Sequence, residues 1–271
     1  MTFDDDLGRR LEARARATGV PPDEIVAQAL RKFLAEAPGD NAVYLSAPLN
    51  ALVEGIYCDD TTYAQVKRHG DFGIGTFNDL DGEMVMLDGR IFRIGGDGAI
   101  HTVEESVKTP FACVCHFTAH TVEEIDRPLD HHGLMALLED LLPSRNMLYA
   151  IRVDGLFSRV RVRSVARQEE YRPLVEVARE QAEFVREDVR GTLAGFWTPS
   201  FLASVSVPGW HLHFLSADLK TGGHLLDCAS TRMTVALQHV PRLRMDLPVT
   251  LDFLTADFTR DMKKDLDEAE R

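Results

Sequence analysis

The sequence has little cysteine and no long apolar run. Four cysteines in 271 residues are too few for a disulfide-stapled scaffold, so we expect free thiols. No apolar stretch approaches the roughly 18 residues of a transmembrane helix, and no Gly-X-Y or heptad repeat indicates a fibre. The chain begins with three aspartates among its first six residues, where a signal peptide is basic. These absences predict a globular, cytoplasmic protein.

Basic residues are also scarce relative to acidic ones. The chain has 30 Lys and Arg against 43 Asp and Glu, which gives a formal net charge of -13. A surface of that sign repels both the phosphate backbone of nucleic acids and anionic lipids. We therefore expect neither a nucleic-acid partner nor a membrane partner. An anionic small molecule would require a local basic patch.

Residues 1–40 predict a pair of helices. Leu7, Leu11 and Ala15 repeat every four residues, and after a Gly-Val-Pro-Pro break the apolar positions between Ile25 and Leu34 fall on one helix face. The pair resembles the two helices of ribbon-helix-helix proteins. That family's basic DNA-reading strand has no counterpart here, because only three residues precede the acidic run. We therefore expect a helical extension for docking or oligomerisation rather than a DNA-binding regulator.

From residue 41 onward the pattern changes to short strands. Four Asp-Gly pairs, at 81, 88, 97 and 154, predict tight turns. The other patterns predict a hairpin of Glu83–Leu87 with Arg90–Ile94, helices at Gly133–Leu142 and 174–186, and strands at Leu156–Val165, His211–Leu215 and His224–Cys228. Few helices and many hairpins indicate an α+β (two-layer α/β) fold with mixed or antiparallel sheets.

A histidine cluster is the sharpest chemical feature. In Pro-Gly-Trp-His-Leu-His-Phe, His211 and His213 share one face of a strand because they lie two residues apart. A Lys-Thr-Gly-Gly turn can then return His224 beside them. Three neutral imidazoles suit zinc and several other divalent metals, and three protein ligands leave the open position typical of a catalytic site. The alternative is a set of scattered strand histidines.

Two further charged groups have open interpretations. Arg159, Arg161 and Arg163 alternate along one strand, which indicates either a solvated face or one inward arginine that anchors an anion. Glu83 shares a strand face with Val85, so it lies either at the rim of a sheet or buried for acid–base chemistry.

Two other motifs favour structural roles. Cys113 and Cys115 lie in an apolar, strand-like stretch and are interpreted as buried thiols. Asp130, followed by two histidines, precedes the helix predicted at Gly133–Leu142 and is interpreted as its cap.

Several long motifs occur in a fixed order from about residue 43 to the end. They are His-Gly-Asp-Phe-Gly-Ile-Gly-Thr-Phe-Asn at 69–78, Leu-Asp-Gly-Glu at 80–83, Thr-Pro-Phe-Ala at 109–112, Tyr-Ala-Ile-Arg-Val-Asp-Gly at 149–155, Gly-Thr-Leu-Ala-Gly-Phe at 191–196, and the histidine segments at 208–215 and 222–227. Taken together, they resemble the α-acetolactate decarboxylase family.

The resemblance implies a set of site residues. It implies that His211, His213 and His224 hold one Zn²⁺ ion per chain. It also implies that Arg163 is the active-site arginine, which would act in catalysis and in substrate binding. The remaining residues that it implies are the active-site glutamate Glu83, the pocket threonine Thr76, and a second glutamate from the C-terminal tail, Glu270 with Glu268 as the alternative.

The resemblance also implies an architecture and a reaction. We expect a helical extension at 1–40 and a catalytic domain at 41–271, with two subdomains of about 41–170 and 171–271, each with a mixed sheet and flanking helices, in a homodimer. The expected reaction is the decarboxylation of 2-acetolactate to (R)-acetoin and CO₂ in acetoin and butanediol biosynthesis. The alternative is a cupin-like mononuclear metalloenzyme acting on a small hydroxy or keto acid. Cupins place a glutamate shortly after the His-x-His pair, where Ala217 and Asp218 stand here.

Overall fold

The computed structural model describes residues 5–27, 41–170 and 172–259. The chain divides into two compact units, Met1–Asp40 and Asn41–Arg271. The described part of the first unit is helical, and all strands of the described residues lie in the second.

The first unit contains α1 (Asp5–Thr18) and α2 (22–27). Gly19 ends α1: its φ is 70°, a left-handed conformation that suits glycine, and its N–H donates to the carbonyl of Ala15 at 2.9 Å. Pro22 occupies the first helical position of α2. The first predicted helix and the start of the second are thus confirmed, whereas the rest of the second lies outside the described residues.

The first sheet of the second unit has seven strands and is mixed. Its strands are β1 (Ala42–Leu45), β2 (Phe72–Thr76), β3 (Glu83–Leu87), β4 (Arg90–Ile94), β5 (Ile100–Thr102), β6 (Ala112–Cys115) and β13 (Arg242–Met245). Their order is β13-β1-β6-β2-β3-β4-β5. Only β1 and β13 pair in parallel.

The second sheet has six strands, three of them long. They are β7 (Thr121–Ile125), β8 (Leu129–Asp130), β9 (Leu148–Ser164), β10 (Ala182–Thr198), β11 (Gly209–Ser216) and β12 (Gly222–Val240). The order is β11-β10-β9-β12-β7, and β8 pairs with β12. Because β11 also pairs with β12, four strands form a closed ring of pairings. These pairings, and those of β12 with β7 and β8, are all antiparallel. The second sheet is therefore antiparallel, where a mixed sheet was expected.

Short helices flank the sheets. They are α3 (Leu49–Val53), α4 (Tyr63–Val66), α5 (His131–Asp140), α6 (Leu174–Arg179) and α7 (Leu251–Thr255). Leu134 and Leu138 of α5 are fully buried against the second sheet. This combination of two sheets and few helices confirms the predicted α+β fold. Within the described ranges, no helix has the length and apolar character needed to cross a membrane.

Two local predictions are wrong. The helix predicted over 174–186 ends at Arg179, because 182–186 extends instead and pairs with β9. Asp154-Gly155 is not a turn: it lies inside β9, with Gly155 paired to Gly191 on one side and Met233 on the other. Sheet pairing on both sides overrides the local turn preference. The subdomain boundary near residue 170 stays a prediction, and β9 and β10 pair with each other across it.

Buried contacts join the two sheets where the site lies. The hydroxyl of Ser164 on β9 donates to the carbonyl of Ile94 on β4 at 2.6 Å. Nδ1 of His213 on β11 donates to the carbonyl of Met84 on β3 at 2.9 Å. Ile94, which accepts the first of these hydrogen bonds, and Val165, which follows Ser164, belong to the same apolar core. The start of β3 is therefore held against the histidine-bearing strand.

Candidate active site

Three histidines converge where β11 and β12 pair. His211 and His213 share a face of β11, and the turn at 217–221 brings His224 opposite His213. One side-chain ligand atom from each residue lies within 4.8 Å of the others, an arrangement that could hold a metal ion. His213 and His224 are buried and His211 is half-buried. The structure thus brings the three predicted side chains together.

The donor geometry suits a tetrahedral metal. Two imidazoles bound to one zinc ion at 2.0–2.1 Å place their nitrogens roughly 3.3 Å apart. The Nε2 atoms of His211 and His213 are 3.2 Å apart. Because Nδ1–H of His213 donates to the carbonyl of Met84, its Nε2 is the unprotonated nitrogen. The hydrogen bond from His213 to Met84 therefore also orients His213 as a metal ligand.

Burial keeps the imidazoles of His211 and His213 neutral. Desolvation, followed by the positive charge of Arg163, lowers the pKa of His211 to about 3. Desolvation, with His211 as the next cause, holds the pKa of His213 well below its ordinary value. At neutral pH both rings therefore retain the lone pair that a metal ligand requires.

Only one of the three alternating arginines faces this cluster. Arg163 is 8% exposed, pairs in register with His224, and lines the same cavity as the histidines. Arg159 is exposed and Arg161 half-buried, and they form ion pairs with Asp227 at 2.8 Å and Glu183 at 3.2 Å. Of the two interpretations that the sequence left open, burial therefore favours one inward arginine, Arg163, with the other two guanidiniums in contact with solvent.

Glu83 and Thr76 lie side by side on the neighbouring strands β3 and β2. Oε2 of Glu83 is 3.5 Å from Nε2 of His213, and the glutamate side chain is 14% exposed. The hydroxyl of Thr76 is buried and donates to the carbonyl of Gly82 at 2.7 Å. Its remaining capacity toward a ligand is therefore that of an acceptor.

Two close contacts between neighbouring strands of the site, β10 with β11 and β12 with β9, occur at glycines. A Cβ on Gly195 would lie 1.9 Å from the carbonyl oxygen of His211, and one on Gly223 would lie 2.3 Å from that of Arg163. Gly223 also has a φ of 134°, which side-chain-bearing residues rarely adopt. These glycines allow the ligand-bearing strands to pack closely around the site.

A small cavity of about 60 Å³ contains the whole group. Its polar lining includes the three histidines, Arg163, Glu83, Thr76 and Gln181, and its apolar lining includes Leu49, Leu52, Leu80, Phe111, Val165 and Leu174. Sequence reasoning missed Gln181, because no motif marks a single glutamine at a helix–strand junction. A larger groove of about 720 Å³ on the second sheet has no histidine or cysteine in its lining, so the chemistry points to the smaller cavity.

The remaining predicted groups lie elsewhere. Cys113 and Cys115 are buried free thiols, as predicted. The carboxylate of Asp130 accepts from the N–H of Gly133 at 2.8 Å and caps α5. Asp218, near the position where a cupin has its ligand glutamate, instead pairs with Arg186 at 2.9 Å. Glu268 and Glu270 lie outside the described residues.

Comparison with known proteins gives a consistent match. Residues 43–260 match the family described as alpha-acetolactate decarboxylase. A protein of that name from Methylococcus capsulatus is 44% identical over 232 residues, which cover 85% of this chain and 89% of the relative. One from Bacillus subtilis is 36% identical over 230 residues, which cover 84% of this chain and 90% of the relative.

Structural comparison agrees with the sequence match. The crystal structure of alpha-acetolactate decarboxylase from Bacillus subtilis strain 168 matches with a TM-score of 0.82 and 36% identity, over 84% of this chain and 99% of that one. The region matched to the family, residues 43–260, contains the histidine cluster together with Arg163, Glu83 and Thr76. Since sequence and fold agree over nearly the full length of the relatives, the chain belongs to the α-acetolactate decarboxylase family of enzymes.

Proposed function

We propose that this enzyme holds one zinc ion per chain at His211, His213 and His224 and converts 2-acetolactate to (R)-acetoin and CO₂. This reaction would serve acetoin and butanediol biosynthesis. The proposal rests on one observation: three histidines whose ligand atoms lie within 4.8 Å of one another share a small cavity with a buried arginine and a glutamate. The arrangement joins a place for a metal to a cationic group for an anionic substrate.

The residues present fit a zinc ion. Three imidazole nitrogens are a common zinc donor set, the 3.2 Å separation of two Nε2 atoms is close to that of a tetrahedral site, and three protein ligands leave an open position. A bound zinc ion supplies an electrophile that stabilises the negative charge that develops as CO₂ leaves.

Arg163 is assigned to the substrate carboxylate. Its planar guanidinium can donate two parallel hydrogen bonds to the carboxylate and orient the scissile C–C bond. When that bond breaks, its electron pair moves toward the neighbouring ketone carbon and oxygen, and a proton must then add to the carbon that lost CO₂. We propose that Arg163 relays this proton to one face of that carbon. This choice of face would set the hand of the product.

Glu83 and Thr76 complete the described part of the site. The Glu83 carboxylate lies beside the triad and can accept and return the proton of the substrate hydroxyl. Thr76 lines the pocket with an oxygen that can accept but whose proton is already donated. The apolar side chains around them limit the access of water, which strengthens the interaction of each charged group with the substrate.

Glu270 is proposed as a second carboxylate that handles protons, as the family resemblance implies. We expect Glu270→Gln, and removal of residues 266–271, to retain zinc and fold but to lose most turnover, whereas Glu268→Gln has little effect. Turnover numbers with zinc content measure this. Wild-type kinetics in the truncated protein would rule out a catalytic tail.

Product analysis tests the reaction. Zinc-loaded protein incubated with racemic 2-acetolactate is expected to release CO₂ and to form acetoin that chiral chromatography identifies as the R enantiomer. Acetoin formation no faster than the spontaneous rate would contradict the proposal. The homodimer and the cytoplasmic location stay predictions.

A further inference from the structure

Gln181 lies between the end of α6 and the start of β10, where it lines the same cavity as the triad and Arg163. Its Oε1 atom is buried and has no hydrogen-bond partner among residues 5–27, 41–170 and 172–259. Nearly all buried polar atoms of folded proteins have a partner, and an orphaned one is destabilising. A buried acceptor that lines a substrate cavity therefore points to a donor on the ligand.

The ionised substrate offers only one donor. The carboxylate and ketone oxygens of 2-acetolactate accept hydrogen bonds, and its tertiary hydroxyl is the only group that donates one. An amide oxygen can therefore match the hydroxyl and no other polar group of the substrate. In the same way, the guanidinium of Arg163, which only donates, matches the carboxylate.

We propose that Gln181 is a substrate-binding residue whose Oε1 accepts a hydrogen bond from the tertiary hydroxyl of the 2-hydroxy acid. This rests on the proposed function. The role differs from that of Glu83, because a neutral amide holds the hydroxyl in place without taking its proton. Gln181 thus orients the carbon that bears the substrate carboxylate before the reaction, and the hydroxyl proton passes to Glu83 only as the reaction proceeds.

The stability of Gln181→Met distinguishes a binding role from a structural one. Methionine has nearly the same length but no acceptor, so the change removes a buried polar atom without a partner. We expect the zinc-loaded variant, without other ligand, to unfold at the same or a higher urea concentration than the wild type. A clear drop in the unfolding midpoint with zinc content unchanged would show that the amide serves the fold, and would contradict the proposal.

Binding of two matched acids measures the hydrogen bond directly. The probes are 2-hydroxy-2-methylpropanoate and 2,2-dimethylpropanoate, in which a methyl group replaces the hydroxyl. Dissociation constants come from NMR titration of the zinc-loaded proteins. In Gln181→Met we expect the affinity for the hydroxy acid to fall about fivefold to tenfold and that for the dimethyl acid to change less than about twofold.

Gln168→Met is the matched control, because its amide donates to the carbonyl of Ala166 outside the site. We expect it to bind both acids as the wild type does. If Gln181→Met weakens both acids equally or neither of them, while the wild type still forms acetoin, the role of Gln181 is wrong and the proposed function stands. If the wild type forms no acetoin above the spontaneous rate, both fall together.

Discussion

Three arginines on β9 differ chiefly in their surroundings. Arg159 and Arg161 reach solvent and carboxylate partners, whereas Arg163 is buried beside the histidines. A surface ion pair contributes little to stability or binding, since water and salt screen it. The buried guanidinium faces a small cavity, where solvent screens its charge less than at the surface, so that it can act more strongly on an anion. The same residue type therefore has two different environments within five positions.

We expect Arg163→Lys to lower kcat/KM by at least about 100-fold while zinc content is retained. Lysine keeps the positive charge but loses the planar pair of donors that orients the carboxylate. Steady-state kinetics with metal analysis measure both quantities. Arg159→Lys and Arg161→Lys are the matched controls, and we expect them to stay within about threefold of the wild type. Equal losses at all three positions would mean that burial does not select the functional arginine.

At the scale of elements, the local sequence predicts those helices, strands and turns that local backbone preferences determine. The hairpin of β3 and β4 is found where predicted, because Asp88 and Gly89 adopt the left-handed conformations of a tight turn, with φ of 50° and 72°. The length of β9 and the end of α6 could not be predicted, because partner strands distant in sequence decide them. Gly155 of β9 is an example: pairing on both sides keeps it extended.

We expect Gly223→Ala to lower the free energy of unfolding by about 3 kcal/mol or more and to weaken zinc binding. Alanine there would be strained at a φ of 134°, and its Cβ would lie 2.3 Å from the carbonyl oxygen of Arg163. Urea unfolding and metal titration measure the two effects.

Gly89→Ala separates backbone strain from the clash. Gly89 has a φ of 72°, but the nearest atom to its added Cβ is Lys67 Cε at 4.0 Å. We expect a loss of about 1 kcal/mol with unchanged zinc affinity. An equally small effect at Gly223 would show that β9 and β12 can separate without disturbing the site.

At the scale of the whole molecule, packing determines which side chains solvent can reach. Cys113, Cys115 and Cys228 are buried, and Cys58 is exposed. Burial raises the pKa of Cys228 to about 12. Burial also raises the pKa of Cys58, with a further contribution from Asp79, whose carboxylate accepts from the thiol at 3.0 Å. A raised pKa lowers the fraction of reactive thiolate at any pH below it.

We expect Ellman's reagent at pH 8 to label one thiol per native chain and all four in denaturant. Asp79→Asn removes the negative charge beside Cys58, so we expect it to lower the pKa of that thiol and to speed its labelling. Absorbance time courses over a range of pH values give both results. Rapid labelling of more than one native thiol would contradict the packing described here.

Some residues of the site can be predicted from the local sequence pattern, and others depend on the tertiary structure. His211 and His213 could be predicted as neighbours because strand geometry fixes their common face, and the glycine turn indicated His224. The sequence could not predict that Arg163 is buried or that Gln181 lines the cavity, because each depends on how the two sheets pack. The motifs that carry the family resemblance contain the three histidines, and the resemblance also implied Arg163, but neither indicated the glutamine.

Anomalous X-ray diffraction at the zinc absorption edge tests the central claim most directly. For a crystal of the zinc-loaded protein, the expected result is one strong peak per chain, about 2.0–2.1 Å from one nitrogen of each of His211, His213 and His224. Crystals of His213→Ala are the control, and we expect them to lack the peak. A peak located elsewhere, or no peak at the triad, would contradict the account.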